Sequence, residues 1–203
     1  MIISEIRVVD RQSSKVFIDG DFAFILYNKE LRKLGVIEGR ELSETTYNEI
    51  KCGLLPKRAK LRAMNLLQRK DYTEMQLRNK LAERMFPSDV VDAAIDYVKS
   101  YKYLDDRRYA YDYINYHMNS RSKSRITFDL INKGIPQDII TEKLEELYVN
   151  GTEESEIPQI KQLLTKKKYD PETFNYKDKQ KLMSFLVSKG YTISAIKKAM
   201  EVE

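Results

Sequence analysis

Residues 77–95 read LRNKLAERMFPSDVVDAAI and residues 126–144 read ITFDLINKGIPQDIITEKL. Laid over one another at an offset of 49, Leu77 meets Ile126, Leu81 meets Leu130, Phe86 meets Ile135, Val91 meets Ile140 and Ile95 meets Leu144. Pro87 and Asp89 meet Pro136 and Asp138. A further shift of 56 brings Leu182, Leu186, Val187, Gly190, Tyr191, Ile196 and Met200 onto the same template. Apolar residues three and four apart on each side of a Pro or Gly describe two amphipathic helices joined by a turn. Each pair follows a further amphipathic stretch, over Lys57–Arg69, Asp105–Asn119 and Ile157–Lys168. The pattern predicts nine helices in three tandem triplets, about the number at which stacked repeats bury a continuous core.

The punctuation between these stretches agrees. Thr73 and Gln76 have the spacing of a capping box, in which hydroxyl and amide satisfy each other's backbone N–H groups. Gly134 and Gly190 stand where a helix must end in a left-handed residue, each followed by an apolar residue that can close the cap. Thr192 is then the N-cap of the last helix.

The first 55 residues differ in kind. Lys15 to Tyr27 is two β-rich runs around Asp19-Gly20, the strongest short hairpin signal, and Ile6 and Val8 alternate with charged neighbours as a third strand would. Asn28 is expected to cap a short helix ending at Gly35, and a second short helix is expected from Ser43 to Lys51. The fold class predicted is therefore mainly α: three tandem three-helix repeats in an elongated curved array, with a small β-hairpin-containing N-terminal extension. The expected divisions are 1–55 for the extension and 56–104, 105–150 and 151–203 for the repeats.

Composition excludes several functions. The chain has 203 residues with 42% hydrophobic and 33% charged, too solvated for one thick spherical core. One cysteine and one histidine leave no intrachain disulfide, no Cys-rich zinc site and no two-His metal site. The first ten residues carry Glu5 and Asp10 where the apolar core of a secretory signal would begin, and Phe22–Tyr27, the longest apolar run, is far too short to span a membrane. A cytoplasmic, soluble monomer is expected, with no cofactor and no membrane partner.

Catalytic groupings are equally thin. A Cys52–His117 dyad would join the single thiol to the single imidazole, but a structural cysteine and a surface histidine are the simpler roles. Asp105-Asp106 could be paired carboxylates, yet they open a helix, where Asp caps the backbone and complements the dipole. No glycine-rich phosphate loop exists. The sequence points to no enzyme.

Charge is more informative, because it recurs with the repeat. The net charge is +5; the first 55 residues hold 8 basic and 9 acidic groups, the remainder 28 and 22. Lys57 to Arg84 holds nine basic residues against three acidic, Arg121, Lys123 and Arg125 open the matching part of the second repeat, and Lys166–Lys168 with Lys177, Lys179 and Lys181 follow in the third. Asp138–Glu156 is instead acidic. A stripe phased in this way suits phosphates, whose neutralisation releases counterions, or an acidic protein partner, though solvation alone is the bland alternative. Seven of the fourteen tyrosines fall between Tyr97 and Tyr116. Tyr109, Tyr113 and Tyr116 share a helix face at core spacing, and Tyr111 points elsewhere as a contact candidate.

The order of motifs resembles the RecX family of RecA modulators. Arg69-x-x-x-Thr73-x-x-Gln76-Leu77-x-x-Lys80-Leu81 looks like that family's R-x-x-x-S-x-x-E-L-x-x-K-L, and Tyr103-Leu104-Asp105-Asp106-Arg107-Arg108-Tyr109-Ala110 like its G-Y-[IL]-D-D-x-x-[FY]-A. Arg125-Ile126-x-x-x-Leu130-x-x-Lys133-Gly134-Ile135 resembles its R-I-x-x-E-L-x-x-K-G-I, and Lys189-Gly190-Tyr191 its closing run. The β-rich extension resembles that of the longer members. Gln76 and Asp129 stand where the family has glutamate, Ser124 where it commonly has glycine and Ser188 where it commonly has a basic residue.

The resemblance implies a non-enzymatic negative modulator that binds the RecA filament on DNA, lowers its ATPase and strand-exchange activity, and works in recombination, repair and the SOS response. Arg69, Arg78, Lys80, Arg84, Arg121, Lys123, Arg125 and Lys133 are the expected contacts, to phosphates or to filament carboxylates. A general nucleic-acid-binding repeat protein and a protein-only adaptor are the alternatives left open.

Overall fold

The computed structural model describes residues 1–148 and 151–200. The expected junction between the second and third triplets at residue 150, and the expected end at 203, fall outside the described residues. The chain divides into two compact units, Met1–Leu104 and Asp105–Glu203.

The first unit opens with a three-stranded antiparallel sheet, β1 (Ile3–Val8), β2 (Ser13–Ile18) and β3 (Asp21–Tyr27), in the order β1-β2-β3. Asp19 and Gly20 both take positive φ, +51° and +96°, as a tight hairpin turn between right-twisted strands requires. Alternation puts Ile3, Val16, Ile18, Phe24 and Leu26 on the buried face. Helix α1 (Asn28–Lys33) follows directly. Asn28 is not its cap: that position is Tyr27, whose N–H donates to Glu30 Oε2 at 2.7 Å. The Asn28 amide instead donates to the Arg11 carbonyl at 3.1 Å, tying down the β1–β2 loop.

Helix α2 (Glu44–Asn48) begins at Ser43, whose hydroxyl accepts the Thr46 N–H. It does not stop at Lys51. It widens into a π turn, Glu49–Leu54, and runs on as α3 (Leu55–Leu67). The Leu55 N–H reaches the Ile50 carbonyl five residues back. The wider turn accommodates Pro56, which has no N–H to continue an α ladder and whose ring would meet the carbonyl four back. The helix is thus unbroken where composition changes at residue 55, and one apolar core joins Phe24 and Leu26 of the sheet to Leu55, Ala59, Leu77 and Ile95. Helices α4 (Glu74–Ala82) and α5 (Ser88–Ser100) complete the triplet. The capping box is present, Thr73 Oγ1 accepting the Gln76 N–H at 3.2 Å and Gln76 Oε1 the Thr73 N–H at 3.3 Å.

The second unit holds α6 (Asp106–His117), α7 (Lys123–Asn132) and α8 (Gln137–Leu147), then α9 (Thr152–Lys166), α10 (Tyr176–Ser188) and α11 (Ile193–Met200). Asp105 caps α6, its Oδ1 accepting the N–H groups of Arg107 and Arg108. Helix α9 starts five residues before the expected Ile157, straight after Gly151 at φ +87°, and carries Pro158 inside it. The repeat positions Ile126, Leu130, Ile140 and Leu144 are buried in one cluster, and Leu182, Leu186, Ile196 and Met200 in another. One template position is not core: Ile131 is 48% and Val187 44% exposed. Tyr116 departs from expectation too, at 81% exposed, because the buried stripe of α6 is Ala110 and Ile114 and leaves Tyr116 beyond its edge.

The seam between these two triplets is polar. Ser122 caps α7 by accepting the Arg125 N–H, and its hydroxyl donates to the Lys189 carbonyl at 2.7 Å. Gln159 donates to the Met118 carbonyl at 2.6 Å and accepts the Tyr191 hydroxyl at 3.1 Å. Glu156 Oε1 accepts the Lys123 N–H at 2.7 Å. Ser122, Glu156, Gln159 and Tyr191 are all buried. Burial, with the Glu156 and Tyr191 charges adding to it, pushes the nearby Tyr148 phenol up to about 12.

The helix ends repeat one device unevenly. Gly134 and Gly190 end α7 and α10 in the left-handed region, and Lys168 does the same after α9 at φ +54°. Its N–H reaches the Thr165 carbonyl, and the next N–H, of Tyr169, reaches Leu164. A side chain there costs about 1–2 kcal/mol that glycine does not. Lys168→Gly is expected to stabilise the chain by about 1 kcal/mol and raise the melting temperature by roughly 2–4 °C; an unchanged or lower melting temperature would refute this.

Candidate functional site

The eight basic residues singled out in the sequence are divided between the two units. Arg69, Arg78, Lys80 and Arg84 belong to the first unit; Arg121, Lys123, Arg125 and Lys133 belong to the second. Arg78 is held in place structurally, bonded to Glu74 at 2.8 Å and to Asp92 on α5 at 2.5 Å. Those carboxylates raise its pKa, and Lys99 joins Arg78 in holding the Glu74 carboxyl below its usual range despite the opposing effect of burial. Lys80 pairs with Glu83 at 2.8 Å. Arg69 is exposed, and among the described residues it pairs with no carboxylate. Arg84 follows α4 and lines a groove against the β1–β2 loop.

In the second unit the residues converge. Asp129, on α7, is only 12% exposed, and both of its oxygens are engaged. Oδ1 receives Arg125 Nε at 3.1 Å, one turn earlier; Oδ2 receives Arg121 Nη1 at 2.7 Å and the Tyr113 hydroxyl at 3.2 Å. Arg121 also donates to that hydroxyl at 3.0 Å. Lys133 Nζ lies over the Tyr113 and Tyr109 rings, 5.3 and 5.8 Å from their centroids. The His117 ring is 4.4 Å from that of Tyr113. Burial first, then the charges of Arg121 and Lys133, push the histidine pKa down, so it is neutral at pH 7. Burial and Asp129 raise the Tyr113 phenol, which stays protonated and donates. Lys123 is directed elsewhere, toward the seam, with Nζ 5.5 Å from the Tyr148 ring centroid.

One carboxylate therefore fixes two guanidiniums whose side chains stay 40% and 56% exposed. A guanidinium has five N–H donors, and Asp129 and Tyr113 occupy only some of them. Beside the pair opens a cleft of about 420 Å³ lined by Arg121 and Arg125, by Ser120 and Ser188, and by Lys189 from the third triplet. Such a set of planar and point cations with hydroxyls between them can hold a phosphate or carboxylate oxygen. Among the described residues no group of three or more His, Cys, Asp or Glu could hold a metal. Cys52 lies exposed in the π turn of the first unit and His117 belongs to the second.

Three family models match in order: the RecX first three-helix domain over residues 59–97, the second over 105–144 and the third over 154–200. The regulatory protein RecX of Caldanaerobacter subterraneus subsp. tengcongensis is 33% identical over 200 residues, covering 97% of this chain and 98% of its own. The chain belongs to the RecX family. Regulatory protein RecX of Clostridium perfringens strain 13 is 33% identical over 202 residues, with 93% of this chain and 90% of its own covered. In structure the chain is similar to a crystal structure of regulatory protein RecX, with a TM-score of 0.65 at 24% identity over 97% of this chain and 98% of that one. It is also similar to RecX from Lactobacillus salivarius, at 0.61 and 20% over 72% and 95%.

The RecX repeat marks a basic residue that local charge density does not. Lys189, in the closing motif, stands 56 residues after Lys133, which stands 49 after Arg84. All three directly precede a left-handed residue, Met85 at φ +55°, Gly134 at +83° and Gly190 at +88°. Each is the cation at the end of its triplet's middle helix, where it also complements the helix dipole. Counting by repeat position, rather than by local density, would have found it.

Proposed function

We propose that this RecX-family chain is a non-enzymatic negative modulator of RecA. It acts as a cytoplasmic monomer, binds the RecA–DNA filament and lowers ATPase and strand-exchange activity during recombination and repair. Family membership supports the RecA partner. The observation that carries the contact chemistry is the Arg121–Asp129–Arg125 cluster with Lys189 across the cleft, a preorganised anion site built from two successive triplets. Phosphates of the DNA, or carboxylates of the filament, are its natural counterparts.

The test is single-stranded-DNA-dependent ATP hydrolysis by the cognate RecA, titrated with this protein. Inhibition near equimolar ratio that persists with DNA in excess is the expected result. Inhibition that excess DNA abolishes, or none, would leave a general nucleic-acid-binding protein. The informative variant spares Arg121, since reversing Arg121, Lys123 and Arg125 together would crowd new carboxylates around Asp129 and damage the fold. Arg125→Gln, Lys133→Gln and Lys189→Gln combined should leave helicity intact and shift the inhibition midpoint by roughly tenfold or more, with a shallower salt dependence. An unshifted midpoint would remove the cleft from the interface.

A further inference from the structure

The first unit has a second concavity, a groove of about 530 Å³ between the end of the sheet, one face of α3 and the α4–α5 turn. Arg58, Leu61, Arg62 and Asn65, at helical spacing, form its α3 side. Arg58 is fixed as its floor: the guanidinium lies 4.0 Å from the Tyr27 ring centroid, donates to the Ile25 carbonyl at 3.1 Å and pairs with Glu30 at 3.2 Å. Arg62 is different. Its Nε is buried and has no hydrogen-bond partner among the described residues. A buried guanidinium donor left unpaired costs free energy, and the Arg62 side chain lines the groove. Arg84 faces the same space from the α4–α5 turn.

Three guanidiniums, of Arg58, Arg62 and Arg84, stand against two carboxylates on the groove, Asp10 and Glu83, and the Arg84 charge acts on Asp10. Asp10 accepts the Gln12 and Ser13 N–H groups at 2.8 and 2.9 Å, and Glu83 pairs with Lys80. The rim is apolar and open to solvent: Leu61 is 60% exposed, Val9 49% and Met85 37%. Met85 is held there in the left-handed region, at φ +55°, a conformation that a side chain tolerates only when its surroundings impose it. Cations beneath an apolar rim suit a chain bearing carboxylates next to large apolar side chains. A phosphodiester backbone has no apolar groups for Leu61 and Met85.

We propose that this groove is a docking site for an acidic peptide segment of a partner protein, one carboxylate taken by Arg62 and Arg84 and the adjacent aromatic or aliphatic side chain by Leu61, Val9 and Met85. The site is separate from the Arg121–Arg125 cleft and does not rest on the RecA reading. The test uses the full chain and a fluorescein-labelled peptide, Asp-Glu-Phe-Asp-Glu-Leu-Asp-Glu, read by fluorescence anisotropy. Three comparison probes are its Asn/Gln counterpart, a counterpart with Ser for Phe and Leu, and an oligothymidylate. The acidic apolar peptide should bind, and both altered peptides should bind roughly tenfold more weakly or worse. The Arg62→Gln/Arg84→Gln double variant and the exposed Leu61→Ser variant should each lose about tenfold for the parent peptide while melting as the wild type does. Equal affinity for the charged and amide peptides, no binding at millimolar peptide, or full retention by the double variant would each overturn the proposal. So would an oligothymidylate that loses more affinity than the peptide in these same variants, since the groove would then belong to nucleic acid.

Discussion

Gly190→Ala is expected to destabilise the second unit by roughly 3 kcal/mol, through backbone strain of about 1–2 kcal/mol and crowding of about 1–3 kcal/mol. Gly190 has φ +88°, so any side chain is strained there whatever space surrounds it. Space is also absent: an added Cβ would stand 2.7 Å from Ser122 Oγ and 3.2 Å from Ser124 Cβ. Ser122 Oγ cannot yield freely, since it caps α7 and donates to the Lys189 carbonyl. Gly35→Ala is the control, because Gly35 also has positive φ, +66°, but nothing lies within 4 Å of its Cβ position. It should cost only the conformational part, about 1 kcal/mol. Urea unfolding followed by circular dichroism measures both. Adding Ser122→Ala to Gly190→Ala should cost less than the sum of the two single changes, because the clash and the hydroxyl disappear together. Equal losses at Gly35 and Gly190 would show that the close approach is not a constraint.

Gln159→Leu should cost a comparable amount, roughly 3 kcal/mol, for a different reason. The side chain nearly conserves volume, so packing is not the issue. The amide answers two partners on different elements, the Met118 carbonyl at the end of α6 and the hydroxyl of the buried Tyr191 after α10. Leucine leaves both without a bond, the Tyr191 hydroxyl in a buried site. Burial, helped by Glu156, holds the Tyr191 phenol above its ordinary pKa, so ionisation offers it no escape. Adding Tyr191→Phe removes one orphan and should recover part of the loss. If the Gln159 variant unfolds at the wild-type urea concentration, the seam derives its strength from elsewhere.

These residues also show where sequence reading stops. The triplets were legible because the 3.6-residue period survives in Leu77, Leu81, Ile126, Leu130, Leu182 and Leu186, and all six are buried. Asp19-Gly20 and Thr73-Gln76 were legible because each is a short-range device whose partners lie within a few residues. Gln159 and Ser122 were not, since their partners stand 41 and 67 residues away and a polar residue in an amphipathic helix reads as surface. Asp129 was noted only as a departure from a motif. Its role as the anchor of Arg121 and Arg125 needs the α6–α7 turn to fold Arg121 back, which no periodicity encodes. Tyr116 failed in the opposite direction, as correct spacing on a helix whose buried stripe was too narrow to include it.

The continuous helix through residues 44–67 has a consequence for how this architecture can be cut and recombined. An N-terminal segment joined by a flexible linker could be gained, lost or exchanged as a cassette, with the remaining protein unaware of the change. Here the seam in composition at residue 55 falls inside a rod that carries the sheet at one end and the first triplet's core at the other. A truncation beginning at Pro56 would sever that rod at its π turn and strip Leu55 and the sheet's apolar face from the residues they cover. The extension and the first triplet fold as one unit.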